Sequence, residues 1–533
     1  MEHVRRGAFL LALAAALLLG ACYDLTVTNP NEPDRARALA SPEDAVALVS
    51  GSFKTWFSGN YSYFGAGAAL SNAAFQHTSP WACCGMEEFS RIPRVAFRDE
   101  SPSASNMTWT WTHTYLALRA VADGLAALEA PETASALTPG EMDRVRAFGR
   151  FVEGIGHATI ALMYAEGFVV DETSDLEARE AALRYDALME RAMAYLDESA
   201  ALSEAGSWTL PPSWMQAPLT GPELAQVAHS MKARYRAANA RTPAERDALD
   251  WNAIKADVDA GITSDLMIDM DEDHGWHNDA LGYGTYWSWS QLGFFIYGMA
   301  DQSGSYQLWD ALPMRNKLPV VDDRPMLIVT PDLRFPQGST VAEQRLSPGR
   351  YFRIQGEGVE DGETWARSDR GTWRWSWYKH ARGEEYWRDL AYVQPEIRIA
   401  EMHLLKAEAL YRLGDRAGAA ALVNQTRVAA GLSPTDAAGA NESCVPRLPD
   451  GTCGDLLEML KWEKRMETTF QGPMASLWYF DGRGWGDLWK DTFVQLPIPC
   501  DEATILGLAC ARAGGPGGPD AAASSVYRWS GEG

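Results

Sequence analysis

Between Pro395 and Leu432 the apolar residues Ile399, Met402, Leu405, Ala409 and Leu410 recur at the spacing of one helix face. Gly414-Asp415 breaks that helix. A second, from Ala417 to Ala430, ends at Gly431, where the missing Cβ suits a helix terminus. Two helices joined by a short turn are what this stretch specifies, and an ordinary helical hairpin accommodates it.

The same spacing returns along most of the chain. Ser41-Pro42-Glu43-Asp44 offers an N-cap, a first-turn proline and two early acids, which predicts a helix from Pro42 to about Trp56. Helical stripes then run from Met107 to Leu128, from Gly140 to Glu166, from Tyr185 to Leu202, from Leu219 to Ala240, from Pro243 to Gly261 and from Asp455 to Phe470. They read as core packing that builds a scaffold. Phe57 to Ser105 is rich in Gly, Ser and aromatics and reads as long loops, and the Gly/Ala/Ser-rich residues after Arg512 are expected to be ordered only in part.

From Ile262 to Gln394 the helical period fades, and Pro, Gly, Trp and Tyr dominate, with short candidate strands at Met326–Val329 and Trp373–Tyr378. An irregular stretch of that size is either functional or disordered, and its aromatics argue against disorder. Trp276, Tyr283, Tyr286, Trp287, Trp289, Phe294, Phe295 and Tyr297 crowd one part of it, while Trp373, Trp375 and Trp377 alternate along an extended chain. The alternating set fits the buried side of a strand better than an open platform. Gly282 and Gly284 mark a surface loop around Tyr283–Trp289, so those rings are candidates for stacking on a ligand. Asn278, Asp279 and Gln291 would supply hydrogen bonds to hydroxyls.

The remaining chemistry is sparse. No nucleophile elbow, phosphate-binding Gly-Lys-Ser/Thr loop or His-Glu-x-x-His is present. Asp269-x-Asp271-x-Asp273 resembles the start of a calcium loop, but His274 stands where the glycine is needed and no Glu closes it, so a solvated acidic turn is the better reading. No catalytic residue, cofactor or metal is expected. The net charge of −24 argues against a nucleic-acid surface, which needs a basic stripe.

The N-terminus is the most specific local signal. Arg5-Arg6, an apolar run from Ala8 to Leu19 and then Leu19-Gly20-Ala21-Cys22 form a secretory signal too short for a transmembrane helix. Cys directly after Leu-Gly-Ala is similar to a bacterial lipobox, which implies lipidation of Cys22. Residues 1–21 are then the signal peptide, and 22–40, polar and proline-punctuated, a membrane tether. Six cysteines remain in this exported chain, and the expected disulfides are Cys444–Cys453 and Cys500–Cys510, each closing a short loop. Adjacent Cys83 and Cys84 either bond to each other or stay as two buried thiols.

Two resemblances add to this. Ala407, Gly414 and Ala419 fall where a tetratricopeptide repeat keeps small residues so that paired helices cross closely, although that repeat's Trp and final Pro are missing. The run Ile397-Arg-Ile-Ala-Glu401-Met-His-Leu-Leu-Lys-Ala-Glu408-Ala409 resembles the "RYAEVLLMYAEA" signature of the SusD/RagB family. Asn424 to Leu432 is similar to that family's "IN.VR.RAGL", Trp462 to Glu467 to its "ER..EL" helix and Leu496-Pro-Ile-Pro499 to its closing "LPIP". Phe470-Gln-Gly-Pro473 departs from the family's Glu-Gly-x-Arg.

The resemblance implies a mostly α protein: tetratricopeptide-like helix pairs (about 41–261 and 395–490) carrying a large irregular, ligand-facing aromatic insert (about 262–394) within one domain, 41–533. It further implies that the early loop region holding Phe75, His77 and Trp81 borders the binding face, where the polar neighbours Asn72 and Gln76 would add hydrogen bonds to hydroxyls. The expected function is capture of an oligosaccharide, or else a peptide, at the outer face of the outer membrane. Delivery would be to a SusC-like TonB-dependent transporter. An exported helical glycosidase and a tetratricopeptide-type protein scaffold are the competing readings.

Overall fold

Helix starts are set by side chains that satisfy otherwise orphaned backbone N–H groups. In the computed structural model, which describes residues 41–79, 85–98, 101, 104–175, 181–285, 290–313, 326–354, 376, 378–389, 391–470 and 477–532, Ser41 accepts from the backbone of Asp44 to open α1 (Pro42–Tyr61). Reciprocal capping boxes, Thr138 with Glu141 and Thr220 with Glu223, open the helices Pro139–Met163 and Gly221–Ala238. The scaffold helices are α2 (Ala66–Ala73), α3 (Ala104–Leu128), α4 (Pro139–Met163), α5 (Tyr185–Glu204), α6 (Gly221–Ala238), α7 (Trp251–Asp259), α8 (Ile399–Arg412), α9 (Arg416–Ala429), α10 (Leu456–Thr468) and α11 (Leu477–Trp485).

These helices pack in sequence-adjacent pairs: α3 runs along α1, α5 along α4, α6 along α5, α7 along α6 and α9 along α8, with α8 also meeting α7 and α10. Close approach depends on missing side chains. A Cβ on Gly154 of α4 would stand 2.5 Å from Leu196 Cγ of α5. Ala407 and Ala419, the small residues expected to let α8 and α9 cross, are fully buried together with Leu404, Val423 and Leu460.

Among the described residues, sheet is confined to two-stranded ribbons. β1 (Leu266–Asp271) pairs antiparallel with β4 (Ala391–Ile397), and β2 (Phe352–Ile354) with β3 (Tyr378–His380). β1 lies where only irregular chain was expected, yet Leu266, Ile268 and Met270 are buried and alternate with outward-facing Met267 and Asp269, a period of two. Asp269 and Asp271 thus belong to a strand, and Asp271 continues into a turn in which its carboxylate meets His274 Nδ1 at 2.5 Å. Residues 326–329 form no strand, and Trp373, Trp375 and Trp377 lie outside the described residues. The expected helix 243–261 is two helices, because Asp250 caps a fresh start at Trp251 after Pro243–Asp247.

Two further expectations are corrected. The C-terminal segment after Arg512 is built into the core: Ala513, Tyr527 and Trp529 are buried. The described aromatics of the insert are mostly internal too. Trp276, Phe294, Phe295, Tyr297, Tyr306, Phe335, Phe352 and Tyr378 belong to the one large apolar cluster that also takes in α1, α4 and α11. Both expected disulfides, Cys444–Cys453 and Cys500–Cys510, are present.

Candidate ligand-binding site

The two loop stretches singled out from the sequence come together. After α2 ends, Phe75 takes a positive φ of 57°, which turns the chain so that Thr78 can pair with Gln291. Thr78 N–H donates to Gln291 O at 2.8 Å, and Gln291 N–H returns to Thr78 O at 3.1 Å. Gly293 lies under this turn, where a Cβ would stand 2.6 Å from Phe75 O. Trp81 follows Thr78 by three residues, and Trp289 precedes Gln291 by two.

Several candidate residues form the floor beneath that bridge. Phe75 packs on Phe295 at 4.7 Å and under the Arg94 guanidinium. His77 is fully buried, its ring held between Ser71 Oγ (3.1 Å) and Asn72 Nδ2 (2.9 Å), with Phe470 against its face. Burial pushes its pKa down to about 3, so the imidazole is neutral. Trp276 lies against Phe57 at 5.4 Å and Phe53 at 6.1 Å. Asn278 donates from its backbone N–H to the Tyr386 hydroxyl and from Nδ2 to Gln394 Oε1, and its Oδ1 accepts from Leu281 N–H. Asn72, Gln76 and Gln291 are buried as well, and half-buried Asp279 accepts from the backbone of Tyr63. Phe75, His77, Trp276 and Asn278, expected at the ligand-facing surface, are buried, and their rings and polar atoms are engaged by protein.

Tyr283 lies in the short helix Asp279–Thr285. Trp81, Tyr286, Trp287, Trp289, Cys22, Cys83 and Cys84 lie outside the described residues.

Elsewhere an open cleft of about 380 Å³ is lined by Val169, Asp171, Thr173, Ser174, Ala181, Leu183 and Arg191. Its carboxylate is occupied: Asp171 accepts from the Tyr195 hydroxyl at 2.5 Å and from Thr173 and Ser174. Burial pushes carboxyls up towards neutrality at Glu153, to about 8, and Glu396, to about 7, both fully enclosed, and at Glu532, to about 7, near the C-terminus. Among the described residues, no His, Cys, Asp and Glu group is arranged to hold a metal, and no helix is long and apolar enough to cross a membrane.

Residues 341–475 match the model of the SusD family. The whole fold is similar to that of solved SusD proteins. A SusD homologue from Parabacteroides distasonis, 11% identical, superposes with a TM-score of 0.57 over 91% of this chain and 98% of its own. A SusD superfamily protein from Bacteroides thetaiotaomicron, 12% identical, gives 0.53 over 87% and 96%. By this segment and by its fold, the chain is similar to SusD-family proteins. No curated protein matches the chain.

The SusD-family segment shows what its most recognisable residues do. Glu401 and Glu408, seven apart on α8, both point inward. Glu401 receives a two-pronged hydrogen bond from Arg234 of α6, and Glu408 one from Arg246, each at 2.7 Å. Arg246 also reaches Asp481 of α11 at 3.0 Å, and Asp481 pairs with Lys464 of α10. Burial alone would raise the Glu408 carboxyl, but the adjacent guanidinium holds it down at about 2. Glu463 of α10 is bound in the same way by Arg334, and Arg465 by Asp487 and the Tyr527 hydroxyl. All of these charges are buried. The residues of the SusD-family signature are therefore internal clamps between helices.

Proposed function

We propose that this protein is a lipid-anchored, surface-exposed nutrient-binding protein that captures an oligosaccharide outside the outer membrane and passes it to a SusC-like TonB-dependent transporter. The observation that carries the reading is the SusD-family segment set in a SusD-like fold. Two features support it: the signal-and-lipobox pattern ending at Cys22, and the Thr78–Gln291 bridge, from which the chain leads towards Trp81 on one side and Trp289 on the other. Binding would rest on ring stacking and a few hydrogen bonds.

The test has two arms. Cys22→Ser should move the protein from the membrane pellet to the soluble fraction. The lipidated form, purified from detergent-solubilised envelopes, should bring down a transporter barrel; a native form that washes off membranes and co-elutes with no barrel would sink the reading. In native gels containing polysaccharide, Trp287→Ala/Trp289→Ala should abolish retention while the far-UV spectrum stays helical. Unchanged retention would remove that loop from the site.

A further inference from the structure

Among the described residues, large aromatic side chains are overwhelmingly internal. Phe64, 50% exposed, and Trp109, 36% exposed, are the two exposed Phe or Trp residues among those described. They are neighbours, with ring centroids 5.4 Å apart, and Trp109 lies on the half-buried His113 one turn further along α3 at 4.0 Å. The three rings make one continuous strip on the surface.

The strip is held rigidly from below. Asn106, fully buried, donates from Nδ2 to Tyr63 O at 2.8 Å and to Gly65 O at 3.1 Å, clamping the carbonyls on both sides of Phe64. Phe64 N–H donates to Ser62 Oγ, and Ala66 N–H to buried Thr110 Oγ1. His113 is seated where α1 crosses α3 at Gly59, a position at which a Cβ would fall 2.2 Å from His113 Cβ. The His113 Nδ1–H group donates to Trp109 O at 2.9 Å, which leaves Nε2 as the ring's acceptor. Buried hydrogen bonds thus fix two aromatics in water, where their apolar surface is a cost unless something covers it.

The dimensions select the occupant. Three partly exposed rings fall far short of the roughly 800 Å² per partner that a stable protein pair buries. They match one or two flat sugar rings, whose C–H faces stack on aromatics. The strip carries no permanent charge, and exposed Thr112 lies on the same stretch of helix to meet a hydroxyl rim. Tyr63 N–H donates to Asp279 Oδ2 at 2.9 Å, so the strip joins the loop that carries the candidate ligand residues. We propose that Phe64, Trp109 and His113 form a stacking subsite for a neutral pyranose ring, beside the loop site and separate from it. The inference rests on the glycan-binding reading above.

The test uses native gels cast with soluble starch, xylan, galactomannan or β-glucan. The wild-type protein should be retarded by at least one of them, and Trp109→Ala should weaken that retention about tenfold, with a smaller loss for Phe64→Ala and an unchanged far-UV spectrum. Trp109→Leu, which keeps apolar bulk but removes the flat face, should lose as much as the alanine variant. A retarded wild type with equally retarded variants overturns the subsite and leaves the glycan reading standing, and full retention by the leucine variant alone overturns stacking. A wild type that none of the four polysaccharides retards overturns the glycan reading and the subsite with it.

Discussion

Arg246→Met is expected to lower stability by about 3–5 kcal/mol, read as a shift of the urea midpoint with little change in slope. Arg246 is completely buried and holds both Glu408 oxygens and one oxygen of Asp481, which joins the helix 243–247 to α8 and α11. Removing the cation strands a carboxylate in a medium that cannot solvate it, and that penalty is the larger part of the loss. Arg246→Met/Glu408→Gln should recover more than half of it, since the Gln oxygen still accepts from Trp485 Nε1 and no lone charge remains. The pH dependence has a definite sign. With its folded pKa held down at about 2, Glu408 contributes stability that is present above the ordinary carboxylate pKa and is lost as pH falls through about 2. Acid titration of the wild type should show that loss, and the double variant should lack this component. Equal stability of Arg246→Met and wild type would mean that the clamp holds nothing.

Trp529→Ala is expected to cost about 3–5 kcal/mol, the usual range for emptying a buried tryptophan site. Its ring stacks on Trp489 at 5.6 Å with 11° between planes, touches Phe295 and donates from Nε1 to the Tyr306 hydroxyl at 3.2 Å. Tyr306 in turn donates to Phe295 O, so the lost indole also leaves a buried hydroxyl short of a donor. Differential scanning calorimetry should show one transition at a clearly lower temperature. An unchanged transition would show that the last residues are detached from the core in solution.

The helices were legible because their signals are local. Ser41, Thr138, Thr220 and Asp455 each stand just before an apolar stripe and cap the helix that follows. The C-terminal strap was illegible because its anchors, Tyr527 and Trp529, are separated from the scaffold by a Gly- and Ala-rich run with no period of its own, and burial there depends on partners far away in sequence. Strand β1 carries a period-two signal in Leu266, Ile268 and Met270, but its two aspartates, Asp269 and Asp271, run on to Asp273 in a pattern that reads as an acidic turn. The site was the least legible part. An aromatic in an irregular stretch looks the same whether it supports a loop, as Trp276 does, or faces water. Trp109 did carry a clue, since it falls off the apolar stripe of its helix. Glu401 and Glu408 carried another: two acids seven residues apart on a buried face require partners inside.

The β1–β4 ribbon ties Leu266 to Ile397 and Asp271 to Ala391, so the two ends of the long excursion between them leave the scaffold side by side. Lengthening such an excursion costs little, about 0.6 kcal/mol for each doubling of a flexible loop, because its mouth is already closed by backbone pairing. A chain built this way can lengthen the outer loops of the excursion and vary its recognition surface, while Phe295, Tyr297, Phe352 and the Arg334–Glu463 clamp keep its inner part joined to the helices underneath.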